Sequence, residues 1–226
     1  RLLGCLPAPC HVPTPLRATD PEAARSNHPS TDDHDWNDIV FKTSADNGAT
    51  WSPLRLMWSN STAAEHVTIG NPSPIVSDGE VVMVFCRNNR EVLVMRSPDG
   101  IVWGTEPVDI TASALGRNWT TSGVNWVATG PPQGLVLPSG RILVQANFKG
   151  GAVGNANVGF AIISDDAGGT WRPSATSVMG CNEGQIAIAP NGSLLMNCRT
   201  AGYHRLLSYS DDSGESWSAP TTLYLG

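Results

Sequence analysis

The chain has 226 residues, of which 40% are hydrophobic and 15% are charged, a length that suits one globular domain or part of a larger one. Its 14 basic and 20 acidic side chains give a formal net charge of -6, so it lacks the positive field that duplex nucleic acid or an anionic membrane would require. No apolar run reaches the roughly 18 residues of a transmembrane helix. An anionic ligand would therefore have to be held by a local group of cations.

Four copies of a Ser/Asp/Gly/Trp turn motif recur along the chain. They occupy residues 44–51, 97–103, 164–171 and 210–217, and the second copy is shortened. Their first serines lie 53, 67 and 46 residues apart, which is the period of a β-propeller blade. Ser and Asp bond the backbone of a tight turn, Gly takes a positive φ, and Trp packs against a neighbouring sheet. The spacing of an EF-hand calcium loop is absent, so we assign the motif a structural role.

Two apolar strands joined by a short turn precede each of the last three copies. These hairpins span 75–85, 134–144 and 186–196, and each turns at a glycine. Each unit then consists of strand 1, glycine turn, strand 2, loop, strand 3, Ser/Asp/Trp turn and strand 4. The pattern predicts four-stranded antiparallel blades and an all-β fold, because no segment keeps a helical period.

The order of the strands also predicts which loops share a face of the molecule. Consecutive strands of a meander alternate in direction, so the glycine turns and the Ser/Asp/Trp turns lie on one face, which we call the bottom face. Segments that precede strand 1 or join strand 2 to strand 3 lie on the opposite, top face, where the central channel of a propeller opens. The predicted top-face segments are 27–37, 87–91, 147–157, 178–184 and 199–203.

The cysteines and the glycosylation sequons indicate in which cellular compartment the protein is found. The three sequons, at Asn60, Asn118 and Asn191, lead us to expect a secreted, extracellular or luminal protein. Five cysteines leave at least one thiol unpaired within the chain if that compartment is oxidising, and Cys86, in an apolar strand, is expected to be a buried free thiol. No CxxC pair is present, and we predict neither a metal site nor a cofactor.

With these four turns at blade spacing, the sequence resembles the sialidase (neuraminidase) family, whose members carry the turn, called the Asp box, on a six-bladed β-propeller. The resemblance covers most of the chain, from about Glu22 to Trp217. It implies that residues 1–226 form a partial sialidase-like propeller domain with about four of the six blades.

Two further stretches carry the resemblance to candidate site residues. Arg25 followed by Asp33, eleven residues before the first box serine, is similar to the family's arginine and acid/base aspartate. Asp32 and Asp35 lie close enough to compete for that role. Glu183 before the third hairpin, and Arg199 after it, are similar to the family's glutamate that activates the nucleophile and arginine that binds the substrate carboxylate. A third stretch, 128–137, is similar to the family's Gly-Pro-Gly loop.

The resemblance implies an exo-α-sialidase-like glycoside hydrolase that removes terminal sialic acid, so the expected partner is a sialylated glycan or another acidic sugar. A carboxylate nucleophile would be repelled by the sugar's own carboxylate, and sialidases use a tyrosine instead. A phenol needs a base, the role implied for Glu183, and Asp33 would protonate the leaving oxygen. Arg25 and Arg199 would bind the substrate carboxylate through bidentate, charge-assisted hydrogen bonds.

The sequence also departs from the family pattern. The family's first arginine motif is not recognisable in residues 6–13, and its third arginine and nucleophilic tyrosine belong to the last blades. We therefore expect a longer parent enzyme and no activity from residues 1–226 alone. The alternative is a non-catalytic Asp-box propeller that binds glycans or builds an extracellular assembly, with a protein partner covering the open sheet faces. For either function, Glu183 and Arg199 could form a structural ion pair between neighbouring strand ends. Trp119 and Trp126 could line a sugar subsite, although we favour packing within a blade.

Overall fold

The computed structural model describes residues 14–18, 37–60, 67–116 and 123–224, and these form four antiparallel sheets. The strands are β1 Thr14–Ala18, β2 Asp38–Lys42, β3 Arg55–Trp58, β4 Ile69–Ser77, β5 Glu80–Arg87, β6 Glu91–Ser97, β7 Val108–Asp109, β8 Val124–Thr129, β9 Leu135–Val136, β10 Ile142–Gly150, β11 Val158–Ser164, β12 Arg172–Pro173, β13 Val178–Met179, β14 Gly184–Ile188, β15 Leu194–Arg199, β16 His204–Ser210 and β17 Thr221–Tyr224. The helical parts of this described chain are the five-residue α1 (Thr111–Leu115) and a 3-10 turn (Gly151–Val153).

Each sheet is one blade of a β-propeller. The first blade is β1-β2-β3, the second β4-β5-β6-β7, the third β8 to β13, and the fourth β14-β15-β16-β17. The prediction of an all-β propeller with about four blades in this chain is confirmed. The shared order places the glycine turns and the Asp boxes at the same ends of the strands, which is the predicted bottom face.

The third blade differs from the predicted hairpin. Its first strand is split into β8 and β9, and both parts pair with β10. The interruption contains a cis peptide bond between Gly130 and Pro131 and a second proline, Pro132. Proline has no N–H to donate to a ladder, so the strand cannot continue through this point. The strand therefore starts at Val124, ten residues before the predicted hairpin, and it adds Trp126 to the blade.

Three apolar clusters fill the spaces between the blades. Side chains of the first and second blades form one cluster around Phe41 and Phe85. The second and third blades meet around Val84 and Ile162, and the third and fourth around Ile163 and Met196. Each blade therefore buries its apolar faces mainly against its neighbours, as expected when a single sheet is too thin to form a core.

The Asp boxes are built from side-chain hydrogen bonds within the turn. In the third blade, Asp166 Oδ1 accepts from the Thr170 backbone N–H at 2.8 Å and from the Ser164 hydroxyl at 2.9 Å, while Ser164 Oγ accepts from Gly168 N–H at 2.8 Å. Gly168 has a φ of 87°. The boxes of the first and fourth blades repeat this network. The structural role predicted for the motif agrees with this geometry.

The box tryptophans show what each box packs against. Trp171 is only 5% exposed and lies in the cluster between the second and third blades. Trp217 is 6% exposed and fills the corresponding space between the third and fourth blades. Trp103 packs on the cluster of the first and second blades. Trp51, in the first box, is 46% exposed. A box tryptophan is thus buried by the preceding blade.

Arginines connect consecutive blades at the bottom face. Arg96 of the second blade donates to the carbonyl of Ala167 in the third box, with Nη2 at 2.6 Å. Arg141 of the third blade donates to the carbonyl of Ser213, the equivalent position in the fourth box, at 3.1 Å. Both carbonyls belong to residues with a positive φ, which turns the peptide toward the arginine. The same side of the third and the fourth box therefore faces the preceding blade.

The end blades leave apolar side chains exposed, as the sequence predicts for an open arrangement. Trp51 and Leu56 are exposed on the first blade, and Tyr209 and Leu223 on the fourth. That a protein partner covers these faces remains a prediction. Within the described ranges, no helix has both the length and the apolar character that crossing a lipid bilayer would demand.

The two tryptophans predict unequal effects of the same substitution. Trp171→Ala removes a buried ring and its Nε1 hydrogen bond to Gly168, and we expect it to lower the free energy of unfolding by about 3–5 kcal/mol. Trp51→Ala removes a half-exposed ring, and we expect a loss below about 1 kcal/mol. Urea unfolding followed by circular dichroism measures both. Equal losses would contradict the assignment of the box tryptophan to the inter-blade core.

The boxes also predict acid sensitivity. Hydrogen bonds from the Ser216 side chain and backbone lower the pKa of Asp212 to about 2, and those from Thr50 lower the pKa of Asp46 to about 2. A carboxylate whose pKa is lower in the folded state contributes stability that is present above its unfolded pKa and lost as the pH falls through the folded value. Unfolding free energy should therefore fall between about pH 4 and pH 2.

Asp212→Asn provides the test, because it removes one titrating group from a box. The variant should be less stable than the wild type at pH 6, and its stability should fall less between pH 4 and pH 2. Urea unfolding at pH 6, 4 and 2.5 gives both slopes. Parallel pH profiles for the two proteins would show that this carboxylate does not contribute.

Candidate functional site

Glu183 and Arg199 meet at the top end of the fourth blade. The hairpin of β14 and β15 pairs Gly184 with Cys198, and the ladder continues one step further, because Arg199 N–H donates to the Glu183 carbonyl at 2.7 Å. Residues directly opposite in an antiparallel pair point to the same face. Arg199 Nη1 accordingly donates to Glu183 Oε2 at 2.7 Å. The structure therefore brings these two predicted site residues together.

A disulfide closes the hairpin immediately behind this pair. Cys181 and Cys198 are joined with a Cα–Cα distance of 5.1 Å, and both are fully buried. Asn182 N–H donates to the Arg199 carbonyl at 3.0 Å, so the residue between Cys181 and Glu183 is also fixed. The bridge packs tightly on β11, where a Cβ atom at Gly159 would lie 2.5 Å from Cys181 Sγ. Glu183 and Arg199 each follow a bridged cysteine by no more than two residues.

A buried glutamine from the third blade holds the backbone on both sides of Glu183. Gln145, 4% exposed on β10, accepts from Gly184 N–H at 2.9 Å and donates to the Asn182 carbonyl at 3.0 Å. Gly184 leaves room for this contact, since a Cβ there would lie 3.2 Å from the Gln145 carboxamide carbon. The position of Glu183 is therefore fixed by its own hairpin and by the adjacent blade.

Glu183 and Arg199 open onto a cleft of about 140 Å³ formed by all four blades. Its lining is polar, with four side-chain amides, one carboxylate and two cations. The lining residues are Asn37, Thr68, Gly70, Asn71, Cys86, Asn89, Trp126, Lys149, Asn182, Glu183 and Arg199. They lie at the predicted top-face ends of their strands. The loops of four successive blades thus converge on one site.

The other two predicted site residues, Arg25 and Asp33, lie outside the described residues, as do the competing Asp32 and Asp35. The segment 19–36 that contains them connects β1 to β2, whose ends pair at Ala18 and Asp38. The residue that follows this segment, Asn37, lines the cleft. Asn37 N–H donates to Val67 and its carbonyl accepts from Ile69, which joins the first blade to the second at this point.

The cleft also contains residues outside the predicted catalytic and substrate-binding set. Trp126, for which packing within a blade was favoured, lines the cleft, and Lys149 lies opposite Trp126 in the ladder. Cys86 is a buried free thiol, as predicted, and burial raises its pKa to about 11, so a reactive thiolate is disfavoured near neutral pH. The three tyrosines of the sequence are absent from the described lining of the cleft.

A metal site is not apparent in the described part of the chain, where no three His, Cys, Asp or Glu side chains cluster closely enough to bind an ion. The described lining of the cleft offers side-chain hydrogen bonds and charges to a ligand. Arg199 and Lys149 supply cationic donors, Glu183 supplies a carboxylate, and the asparagines can bind hydroxyl or amide groups. This combination suits a small, polar, anionic ligand.

Comparison with known proteins supports the same fold and family. A family model described as a BNR repeat-like domain matches residues 38–225, which is most of the chain. The chain belongs to the BNR repeat-like family. The four Asp boxes of this BNR repeat chain are the repeats that define its blades.

Relatives of this BNR repeat chain include sialidases. An exo-α-sialidase of Aspergillus fumigatus is 28% identical, with 70% of this chain and 42% of the relative aligned. Sialidase-4 of Homo sapiens is 29% identical, with 83% of this chain and 45% of the relative aligned. The chain thus spans less than half the length of these two relatives. The structure of Trypanosoma rangeli sialidase in complex with sialic acid matches with a TM-score of 0.70 at 20% identity, covering 84% of this chain and 33% of that one.

The disulfide yields a prediction about the stability of the site. Replacing both Cys181 and Cys198 by alanine should lower the free energy of unfolding by about 2–4 kcal/mol, because the bridge restricts the unfolded chain. Urea unfolding with and without a thiol reductant measures this loss. Reductant should shift the wild-type midpoint and leave that of the double variant unchanged, while Cys86→Ala should keep the wild-type response. A reductant effect of equal size in the double variant would show that the stabilising bridge lies elsewhere.

Proposed function

We propose that this BNR repeat protein is an exo-α-sialidase-like glycoside hydrolase that removes terminal sialic acid from glycoconjugates. The observation that carries the proposal is the position of Glu183 and Arg199 in the top-face cleft, where their contact leaves the Arg199 side chain 58% exposed and able to bind a ligand. A base and a carboxylate-binding cation are then side by side, as hydrolysis of an anionic sugar requires. The sialidase relatives support the same reaction class.

Arg199 has capacity left to bind a substrate carboxylate. A guanidinium has five N–H donors, and the contact described for Arg199 uses Nη1 on Glu183. The side chain is 58% exposed, so its remaining donors face the cleft and solvent. A bidentate bond to a carboxylate from such a fork is both directional and charge-assisted. The acidic protein thereby holds an anionic sugar through a local contact.

Glu183 is assigned the activation of a tyrosine nucleophile. The phenol of tyrosine ionises near pH 10, so it attacks at neutral pH only if a base takes its proton. Glu183 is an acceptor held rigidly by its hairpin and by Gln145 on each side of its backbone. Its contact with Arg199 links the base to the residue that orients the substrate.

Asp33 is assigned the acid/base role and Arg25 a second contact with the carboxylate. Both assignments rest on the resemblance of their segment and on its position between β1 and β2. Asn37, directly after the segment, lines the same cleft as Glu183. Asp33 would protonate the leaving oxygen and then remove a proton from the attacking water, the exchange of roles that a retaining mechanism requires.

We further propose that the protein works in an oxidising compartment, as a secreted, extracellular or luminal glycoprotein. The disulfide between Cys181 and Cys198 supports this location, because such bridges persist where thiols are not kept reduced. The sequon asparagine Asn191 is exposed in the β14–β15 turn. This turn is on the bottom face, so a glycan there would not obstruct the cleft.

Hydrolysis of a fluorogenic α-sialoside by the purified full-length parent protein tests the proposal. The wild type should release the fluorophore, and Asp33→Ala should reduce kcat by at least about 100-fold because it removes the general acid. Asp32→Ala and Asp35→Ala are matched controls, since they remove neighbouring carboxylates, and they should retain most of the rate. Wild-type turnover no greater than that of Asp33→Ala would refute the hydrolase function.

Glu183→Gln separates nucleophile activation from binding. The amide keeps the shape of the side chain and loses its basicity, so we expect kcat to fall by about 100-fold or more while KM changes by less than about threefold. Initial rates over a range of sialoside concentrations give both constants. A change confined to KM would contradict the assigned role. Sialic acid binding without any turnover in the wild type would instead indicate a glycan-binding propeller.

A further inference from the structure

Lys149 and Trp126 form a pair on the wall of the cleft that the proposed mechanism does not use. They are directly opposite in the register of β10 and β8, so both side chains leave the same face of the third blade. Lys149 Nζ lies 4.6 Å from the centroid of the Trp126 ring. A β-bulge follows between Lys149 and Gly150, so the regular ladder ends beside the cleft. The ammonium therefore lies over the Trp126 ring, and both residues line the cleft.

Among the described residues of the cleft, no carboxylate forms an ion pair with Lys149. Two cations, Arg199 and Lys149, and one carboxylate, Glu183, line its described part. Glu183 is bound to Arg199, and none of the ion pairs among the described residues includes Lys149. An ammonium has three N–H donors. A cation–π contact depends on the charge of the ammonium and does not occupy all three of these donors. Lys149 therefore retains donors for an anion.

The position of Lys149 complements that of Arg199. Lys149 ends β10 in the third blade, whereas Arg199 ends β15 in the fourth, so the two cations approach the cleft from different blades. Trp126 restricts the flexible lysine stem, which lowers the entropy lost when the ammonium binds a ligand. An anionic ligand in this small polar space would meet positive charge on two sides.

We propose that Lys149, oriented by Trp126, is an additional cationic substrate-binding residue, and that it contributes to the preference of the site for acidic over neutral sugars. The inference rests on the proposed function for the identity of the ligand, sialic acid. Lys149 takes no part in proton transfer in this account. Its removal should therefore weaken binding and leave the catalytic step largely intact.

The sequence allows Lys149 to be observed directly, because Lys42 and Lys149 are its only lysines. Reductive methylation with carbon-13 formaldehyde keeps the positive charge and gives each lysine its own NMR signal. The Lys149 signal should be shifted by the ring current of Trp126 and is assigned by its loss in Lys149→Met. Addition of free sialic acid should move this signal, while that of Lys42, outside the described cleft lining, should stay in place.

Binding constants of variants provide the second readout. Titration calorimetry with free sialic acid should show a Kd about 10-fold or more weaker for Lys149→Met, because a charge-assisted contact is lost. Lys149→Arg should stay within about threefold of the wild type, and Lys42→Met, the matched control, should equal it. Unfolding measured on each variant separates loss of binding from loss of structure.

The outcomes are distinct for the two proposals. A wild type that does not bind sialic acid at millimolar concentration, an unmoved Lys149 signal at saturation, or an unchanged Kd in Lys149→Met would each overturn the inference. None of these results depends on turnover. Binding of sialic acid through Lys149 without hydrolysis would refute the hydrolase function and leave the inference standing. Hydrolysis by the wild type together with an unchanged Kd in Lys149→Met would refute the inference and leave the hydrolase function standing.

Discussion

The packing of each blade against the preceding one is the constraint on which the rest of this structure depends. A four-stranded sheet cannot enclose a core, so Trp171 and Trp217 are buried by the blade before their own. Arg96 and Arg141 add hydrogen bonds across the same boundaries. Since these contacts lie at the bottom face, the loops at the other ends of the strands are free to carry polar residues.

Repetition of that packing brings separate polar loops to one cleft. Glu183 and Arg199 come from one hairpin, and their contact follows from its register and from the disulfide behind it. Gln145 then ties this hairpin to the third blade, so the site is fixed across a blade boundary. The box aspartates at the bottom face contribute to the negative net charge of the protein. Around the cleft, the described cations outnumber the described carboxylates.

Local sequence is sufficient for the blades and for part of the site. The box spacing and the glycine turns predict the sheets, and Asn191 of the turn lies midway between Glu183 and Arg199, so their meeting follows from the strand pairing. The contact of Trp126 with Lys149 and those of Gln145 with the fourth blade are not predictable, because they join elements distant in sequence. The sequence also does not determine which cysteines form the disulfide, because five cysteines allow several different pairings. Arg25 and Asp33 remain predictions from the sequence.

In this proposal the top-face cleft binds an acidic sugar through the carboxylate of the sugar. A crystal structure of the protein with sialic acid is the decisive test. We expect the sugar in the cleft, with its carboxylate within hydrogen-bonding distance of Arg199 and the anomeric carbon close to the Glu183 side of the site. Sialic acid bound at another surface, or bound in the cleft with its carboxylate directed away from Arg199, would refute this mode of binding.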